Sequence, residues 1–456
     1  MEEKKLREMI KDVQELIDQG DRSVLPVQLK ALHPADVAEL ISHLDEEARE
    51  YVFGLLDNQI ASDVLPDLDD STREDLLEEI DEQKLTEIVD EMESDEAADV
   101  VAELPDEVAE RVLESVSEEV SQEVKELLQH EEDTAGGLMA LEIITINQDA
   151  TIDEAIAAIR RAADEVHEIE NFHYLYVIDD EGKLVGVVSL ARLLISRSDR
   201  KVADVMERDV VQVSQDMDQE EVAGLFRKYD LVAVPVVDET GRLVGRITVD
   251  DVVHVIEEEA SEDILKMAGT GDEAIREESA FRIAGIRLPW ILTSLFGGLV
   301  SGSVIRAFKG TLGQALSLAI FIPIITAMGG NIGIQSASIT VRGLALGQIE
   351  AFELWKRVLR ELRVGVVMGL VCGGGVGLIA LFWQGNPALG FVVGAAMLSA
   401  ITVAATMGTF VPVIFKKLNI DPAIATGPFV TTSNDIIGLI IYFSIARALL
   451  PIIVGG

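Results

Sequence analysis

The sequence predicts a multidomain membrane protein with an all-α superhelical N-terminal domain, an α/β duplicated module and an all-α transmembrane domain of five helices. Three observations carry this. Charge is split sharply: the first 280 of 456 residues hold 76 acids and 25 bases, and the remainder holds 5 and 12. That remainder contains five apolar stretches, at roughly 288–307, 312–340, 361–383, 388–415 and 423–453, each long enough to cross a bilayer. Between the acidic start and the apolar end, "FHYLYVIDDEGKLVGVVSLARLL" (172–194) aligns with "LVAVPVVDETGRLVGRITVDDVV" (231–253), Gly182 matching Gly241.

The expected domains are therefore 1–132 (acidic helices), 133–256 (the duplicated pair), 257–280 (an acidic connecting helix) and 281–456 (the membrane domain). In the first, "LHPADVAELISHLDEEAREYVFGLLD", "IASDVLPDLDDSTREDLLEEID" and "MESDEAADVVAELPDEVAERVLESV" set Asp/Glu caps ahead of short amphipathic helices. Helix pairs of that kind stack into a superhelix. Each copy of the pair reads strand, helix, strand, turn, strand, helix.

Several functions are disfavoured. A net charge of −44 repels nucleic acid and anionic lipid and suits cations. A single cysteine, Cys372, rules out a disulfide framework, and the six histidines (33, 43, 130, 167, 173, 254) lack zinc-ligand spacing. No nucleophile–base set, phosphate loop or catalytic metal motif is present, so an enzyme is not expected. "CGGGVG" lacks the Lys-Ser/Thr of a phosphate loop and sits in an apolar span. It reads as helix packing, like the spacings Gly298/Gly302, Gly365/Gly369, Gly373/Gly377 and Gly390/Gly394.

Orientation follows from the basic loops. Arg282 and Arg287 precede the first span, Lys356, Arg357, Arg360 and Arg363 lie between the second and third, and Lys416 and Lys417 between the fourth and fifth. The positive-inside rule then sets the N-terminus in the cytoplasm and the C-terminus outside, in a multi-pass protein of the cytoplasmic membrane. "MEEKKLREMI" lacks the apolar core of a secretory signal.

Two segments interrupt the helix pattern: "FIPIITAMGGNIGIQSASITVRG", with Pro323 and Asn331, and "DPAIATGPFVTTSND", with Pro422, Gly427 and Pro428 ahead of Thr431 and Asp435. A proline inside a helix would leave the carbonyl four residues earlier, Ile424 for Pro428, without its partner. Irregular backbone at membrane depth is tolerated inside protein or along a water-filled path. Asp435 costs about 2.5–3.5 kcal/mol at a helix centre, so it reads as part of an ion pathway, with a proton relay as the competing role; a salt bridge to Arg447, about 18 Å along the helix, is not expected. A carboxylate among hydroxyls, amides and carbonyls suits a hard cation such as Mg²⁺ or Ca²⁺. No acid is expected within the other spans, so a pair of carboxylates would need a symmetric dimer with the pore on its axis. In the acidic half, Asp95 and Asp99 are spaced i, i+4, and Glu259, Glu262 and Asp263 are spaced i, i+3, i+4. By spacing alone the Asp95/Asp99 pair reads as a solvated face, whereas the Glu259 set reads equally as a solvated face or as shared cation ligands.

The duplicated module resembles a tandem pair of CBS domains, regulatory modules that often bind adenine nucleotides such as ATP. In those modules a Ser/Thr-x-x-Asp at the last helix binds ribose. Thr248 and Asp251 fit this in the second copy, whereas the first has Arg192 in the aspartate position after Ser189.

Over the full chain, and in "GGNIGIQSA" and "DPAIATGP…TTSND" above all, the sequence resembles the MgtE family of magnesium channels. The resemblance implies a homodimer in the lipid bilayer. Its central pore would conduct Mg²⁺ into the cytoplasm, and intracellular Mg²⁺ would close it. It implies Asp435 as the pore aspartate, with carbonyls near Thr431, and Asn331, Gly427 and Pro428 along the path. Asp421 would share a regulatory ion with Glu262 and Asp263, and Glu259 matches another acidic position. Asp95 and Asp99 match acids facing the CBS pair, where Asp251 is a partner, and Asp230 matches a further acidic position there. His254 stands where some relatives carry an acid, and Ile334 replaces an asparagine often seen in "GNxGNQ". Two alternatives stay open: a channel for Mn²⁺, Co²⁺ or Ca²⁺, and a non-conducting CBS-based Mg²⁺ sensor.

Overall fold

The structure, a computed structural model, describes residues 3–19, 25–165, 172–271, 274, 279–346, 349 and 354–455. His167 and residues 272–273 and 275–278 of the expected connecting segment lie outside these. The chain divides into two compact units, Met1–Ile256 and Glu257–Gly456.

Among the described residues of the first unit, ten helices precede the first strand, from α1 (Glu3–Gln19) and α2 (Leu25–Leu29) to α10 (Glu118–Leu127). The eight between Pro34 and Leu127 keep a strict register. Their N-caps are His33, Asp45, Asp57, Asp69, Asp81, Glu93, Pro105 and Ser117, so a helix starts after every twelfth residue. Asp45, Asp57 and Asp69 each accept a bond from the amide three residues on, which satisfies an otherwise orphaned helix donor. Each helix contacts the one two places along: α3 (Pro34–Ile41), α5 (Asn58–Val64), α7 (Glu82–Val89) and α9 (Asp106–Ser115) form one row. In the other, α4 (Glu46–Gly54) meets α6 (Asp70–Glu79), and α8 (Ser94–Glu103) meets α10. This is the stacked-pair superhelix that the capped repeats predict, with a 24-residue helix pair as its unit. Leu40, Ile41, Val52, Phe53, Leu76 and Ile88 fill the space between the rows.

The duplicated module follows. Its first copy runs β1 (Thr145–Asn147), α11 (Ile152–Glu165), β2 (Tyr174–Ile178), β3 (Leu184–Ser189) and α12 (Leu190–Ile195). The second runs β4 (Val213–Ser214), α13 (Gln219–Tyr229), β5 (Ala233–Val237), β6 (Leu243–Thr248) and α14 (Val249–Ala268). In both, the first strand pairs parallel with the second and the second antiparallel with the third. Gly182 and Gly241 take left-handed φ of 79° and 83° in the matching turns, as their alignment requires. The second copy shares one continuous core with the helical rows through Val222, Val234, Ile247 and Val252, while the first copy has its own.

Among the described residues, the second unit holds five helices long and apolar enough to cross a membrane. They are the first span (Ala280–Ala307), the second (Ile322–Ala345, after a 3₁₀ turn Leu316–Phe321), the third (Leu354–Gln384), the fourth (Pro387–Lys417) and the fifth (Pro428–Ala448).

Four expectations are corrected here. The second span is one unbroken helix through Gly329, Gly330 and Asn331, because Pro323 sits in its first turn, where its missing N–H is harmless. Pro428 likewise begins the fifth span, so the irregular backbone lies ahead of it, in the 3₁₀ turn Pro422–Ala425, and no helical bond is lost at Ile424. The third span starts earlier than expected and carries Glu361, buried at 8% exposure, so Asp435 is not the one acid within the spans. Finally, Gly298 and Gly302 have open space beside them. The other glycine spacings do pack helices: a Cβ on Gly373 would lie 2.6 Å from the Gly394 carbonyl, and one on Gly377 would lie 2.8 Å from that of Gly390.

Candidate functional site

Two acidic sites and one polar helix face stand out. The first site is built on the start of α8. Register places Glu93 at the N-cap, yet its side chain makes no capping bond. Instead Glu93 Oε2 accepts from Arg246 of β6 at 3.2 Å. Ser94 donates from its amide and hydroxyl to the two oxygens of Glu142, both at 2.9 Å, and its hydroxyl accepts from the Leu141 amide. These bonds seat α8 against the second CBS copy and the segment leading into the first. Asp95 and Asp99, one helical turn apart, thereby meet the start of α14.

There the Asp251 carboxylate reaches back to Thr248 and caps the helix start. Asp251 Oδ2 accepts from the Thr248 amide at 3.0 Å and from its hydroxyl at 2.8 Å, and that hydroxyl also contacts Asp250. The Thr-x-x-Asp motif thus has a structural use before any nucleotide is considered.

Electrostatics at this site are uniformly unfavourable to charge. Burial, then the negative charges of Asp251, Glu93, Glu96 and Glu142, drives Asp95 well above the carboxylate range. Burial pushes Glu93 up to about 7 against the pull of Arg246, and burial with Glu93 and Asp251 nearby pushes Glu96 up to about 8. Asp99 rises to about 7 through burial, although Arg73 pulls it down. Asp251 is raised by burial despite its bonds from Thr248. Glu93, Glu96, Glu142 and Arg246 were not singled out from sequence, although the loss of the cap aspartate at position 93 is visible once the twelve-residue register is known. Asp230 is exposed in the left-handed turn that ends α13, φ 51°, and shares no bond with this cluster among the described residues.

The second site lies in the Glu257–Gly456 unit. Lys266 Nζ reaches Glu262 Oε1 at 2.5 Å and Asp421 Oδ2 at 2.8 Å. Asp421 Oδ1 also accepts from the Ala423 amide at 2.7 Å, capping the 3₁₀ turn ahead of the fifth span. Burial, followed by the charges of Asp421 and Glu259, pushes Asp263 up to about 6. The α14 helix stops at Gly269, left-handed at φ 79°, with Thr270 donating back to the Leu265 carbonyl at 3.0 Å. A Cβ on Gly427 would stand 3.0 Å from the Met267 carbonyl, so that glycine lets the end of this helix approach the head of the fifth span. Among the described residues no three His, Cys, Asp or Glu side chains converge closely enough to grip a bare ion.

The polar face belongs to the second span. Asn331, Ile334 and Gln335 are exposed and share one side of the helix. On the fifth span Thr431 and Asp435 stand one turn apart and are half-buried.

The description of the MgtE family, a divalent cation transporter, matches residues 322–445, the MgtE intracellular N domain matches 32–133, and CBS domains match 135–198 and 202–258. The magnesium transporter MgtE of Bacillus subtilis (strain 168) is 39% identical over 322 residues, 71% of either chain. The chain belongs to the MgtE family. The magnesium transporter MgtE of Thermus thermophilus is 38% identical over 328 residues, 71% of this chain and 72% of that one. Among solved structures, the cytosolic domain of the Mg²⁺ channel MgtE in complex with ATP aligns with a TM-score of 0.51 at 37% identity, covering 54% of this chain and 99% of that one. The soluble part of a magnesium transporter aligns at 0.50 and 31%, covering 56% and 99%.

Proposed function

We propose that this chain is a Mg²⁺ channel of the cell membrane that admits the ion to the cytoplasm and is closed by intracellular Mg²⁺. The observation that carries the reading is the polar face Asn331–Gln335, exposed on an apolar helix in a single chain. Polar amides facing lipid are costly, so that face belongs against a second copy or along a water-filled path. A homodimer with its axis beside the second and fifth spans satisfies both and brings two Asp435 carboxylates together. Mg²⁺ sheds water reluctantly, and a pair of carboxylates can hold the hydrated ion tightly enough to select it and loosely enough to release it.

The regulatory part of the reading rests on the acidic sites. Every candidate donor is an oxygen, which suits a hard cation. Burial and mutual repulsion raise Asp95, Asp99, Glu96 and Asp251 together, so the compact arrangement holds less positive charge than its carboxylates need, even with Arg73 and Arg246 beside them. Mg²⁺ would supply it there, and also among Glu259, Glu262, Asp263 and Asp421. Because the ion binds the compact form better, its binding shifts the population toward closure. Asp230 would join as an outlying ligand.

Liposomes containing the purified chain test the proposal. Mg²⁺ uptake should fall as internal Mg²⁺ rises, and Asp435→Ala should abolish uptake in a folded protein. Undiminished uptake by that variant would remove the pore assignment, and flux indifferent to internal Mg²⁺ would remove the gating. A second role, adenine-nucleotide binding by the CBS pair, is favoured by the likeness to the ATP-bound cytosolic domain and by Thr248 and Asp251. Titration with ATP, compared with Asp251→Ala, decides it.

A further inference from the structure

We propose that Asn434 is a positioning residue of the ion path: keyed into a glycine notch of the second span, it sets the rotation at which the fifth span presents Thr431 and Asp435. The inference rests on the reading that those two residues face the path.

Asn434 is 4% exposed. Its Nδ2 donates to the Gly329 carbonyl at 3.4 Å, while its Oδ1 is buried without a hydrogen-bond partner. The side chain occupies the space above Gly333. A Cβ there would overlap the Asn434 amide and come within 2.7 Å of Val430 Cγ1. A second key lies two residues earlier, where Thr432 fills the space above Gly297 of the first span, and a Cβ on that glycine would overlap the threonine side chain.

At about 100° per residue, Asn434 and Thr432 leave the helix about 160° apart around the shorter arc. Thr431 and Asp435 fall between them, about 60° and 100° from Asn434. The two keyed residues therefore flank the polar face, one held by each neighbouring helix. A carboxylate about 6 Å from the axis would move about 3 Å on a 30° roll, roughly the width of a water molecule. Selection of a hydrated ion depends on distances of that size. An amide left half-paired in a buried notch is a poor choice for packing alone, since an apolar side chain of similar shape would leave no orphan acceptor. Its donor to the Gly329 carbonyl and its length fix both the depth and the angle of the key.

The test uses the full-length chain in liposomes, reading Mg²⁺ flux, the Mg²⁺/Ca²⁺ flux ratio and thermal unfolding for Gly333→Ala, Asn434→Ala and the double variant. Gly333→Ala should lower Mg²⁺ flux at least tenfold by ejecting the asparagine. Asn434→Ala should keep much of the flux but reduce the Mg²⁺/Ca²⁺ ratio severalfold. In the double variant the new methyl group fills the vacated notch, so the flux should recover by at least threefold over Gly333→Ala. Wild-type flux and ion ratio in Gly333→Ala, or a double variant no better than that single one, would overturn the proposal. Asp435→Asn separates the two levels. If it retains flux, the path assignment is wrong; if it loses flux while Gly333→Ala does not, only the positioning role is wrong.

Discussion

Lys266 Nζ lies 2.8 Å from Asp421 Oδ2, an ion pair that ties the last turns of α14 to the turn ahead of the fifth span. Under the proposed function this lysine is a built-in monovalent counter-charge where the regulatory ion would act. Partly exposed pairs of this kind contribute up to about 1 kcal/mol. Lys266→Met should therefore raise flux at low internal Mg²⁺ by up to about fivefold, with closure restored at saturating Mg²⁺. Unchanged low-Mg²⁺ flux would count against the tie.

Glu123 in α10 offers a pH test away from the candidate ligands. Burial, then Glu142, Glu119 and Glu126, pushes it up to about 7 from an ordinary 4.5. Its proton is held more tightly in the folded state, so stability declines as pH rises from about 4.5 to 7, and the penalty persists above that. Glu123→Gln should be more stable than the parent at pH 8, by about 1 kcal/mol or less after solvent screening, and equal to it near pH 4.5. Thermal unfolding across that range checks the sign.

Asp69 runs the other way. Burial opposes its charge, but bonds from the Ser71 and Thr72 hydroxyls and the Thr72 amide outweigh burial and bring it to about 2 from 3.8. Its contribution is present above pH 3.8 and is lost as pH falls through 2. Asp69→Ala should cost about 1 kcal/mol at pH 7, and less at pH 2, measured by denaturant unfolding.

The close seam between the third and fourth spans predicts a sharp positional contrast. Gly373→Val forces a branched side chain onto the Gly394 carbonyl and should destabilise by at least about 1–3 kcal/mol. Gly374→Ala, one residue on with open space beside it, should stay within about 0.5 kcal/mol of the parent. Unfolding in detergent distinguishes them.

Much of this was legible in the chain because its signals are local. Aspartate caps announced the short helices, the Gly182/Gly241 alignment announced the paired modules, and apolar length announced the spans. Prolines misled, since Pro323 and Pro428 look like breaks in a linear reading but sit in first turns, where the helix loses nothing. Glu361 was passed over because it is the first residue of the apolar stretch and reads there as a flank, whereas the helix begins at Leu354; its burial also depends on a neighbouring helix, since Ser336 of the second span donates to its carboxylate at 3.2 Å. The ties of Glu93 to Arg246, and of Lys266 to Asp421, join residues more than 150 positions apart. No periodicity could disclose them.

The twelve-residue register constrains how this protein can change length. Consecutive helices alternate between two rows, so losing or gaining twelve residues ahead of α8 would move every upstream helix to the opposite row. A change of 24 would preserve the rows and leave Glu93 opposite Arg246. The helical domain can therefore grow or shrink in whole helix pairs, like a ladder altered two rungs at a time, with its acidic end still meeting the same arginine.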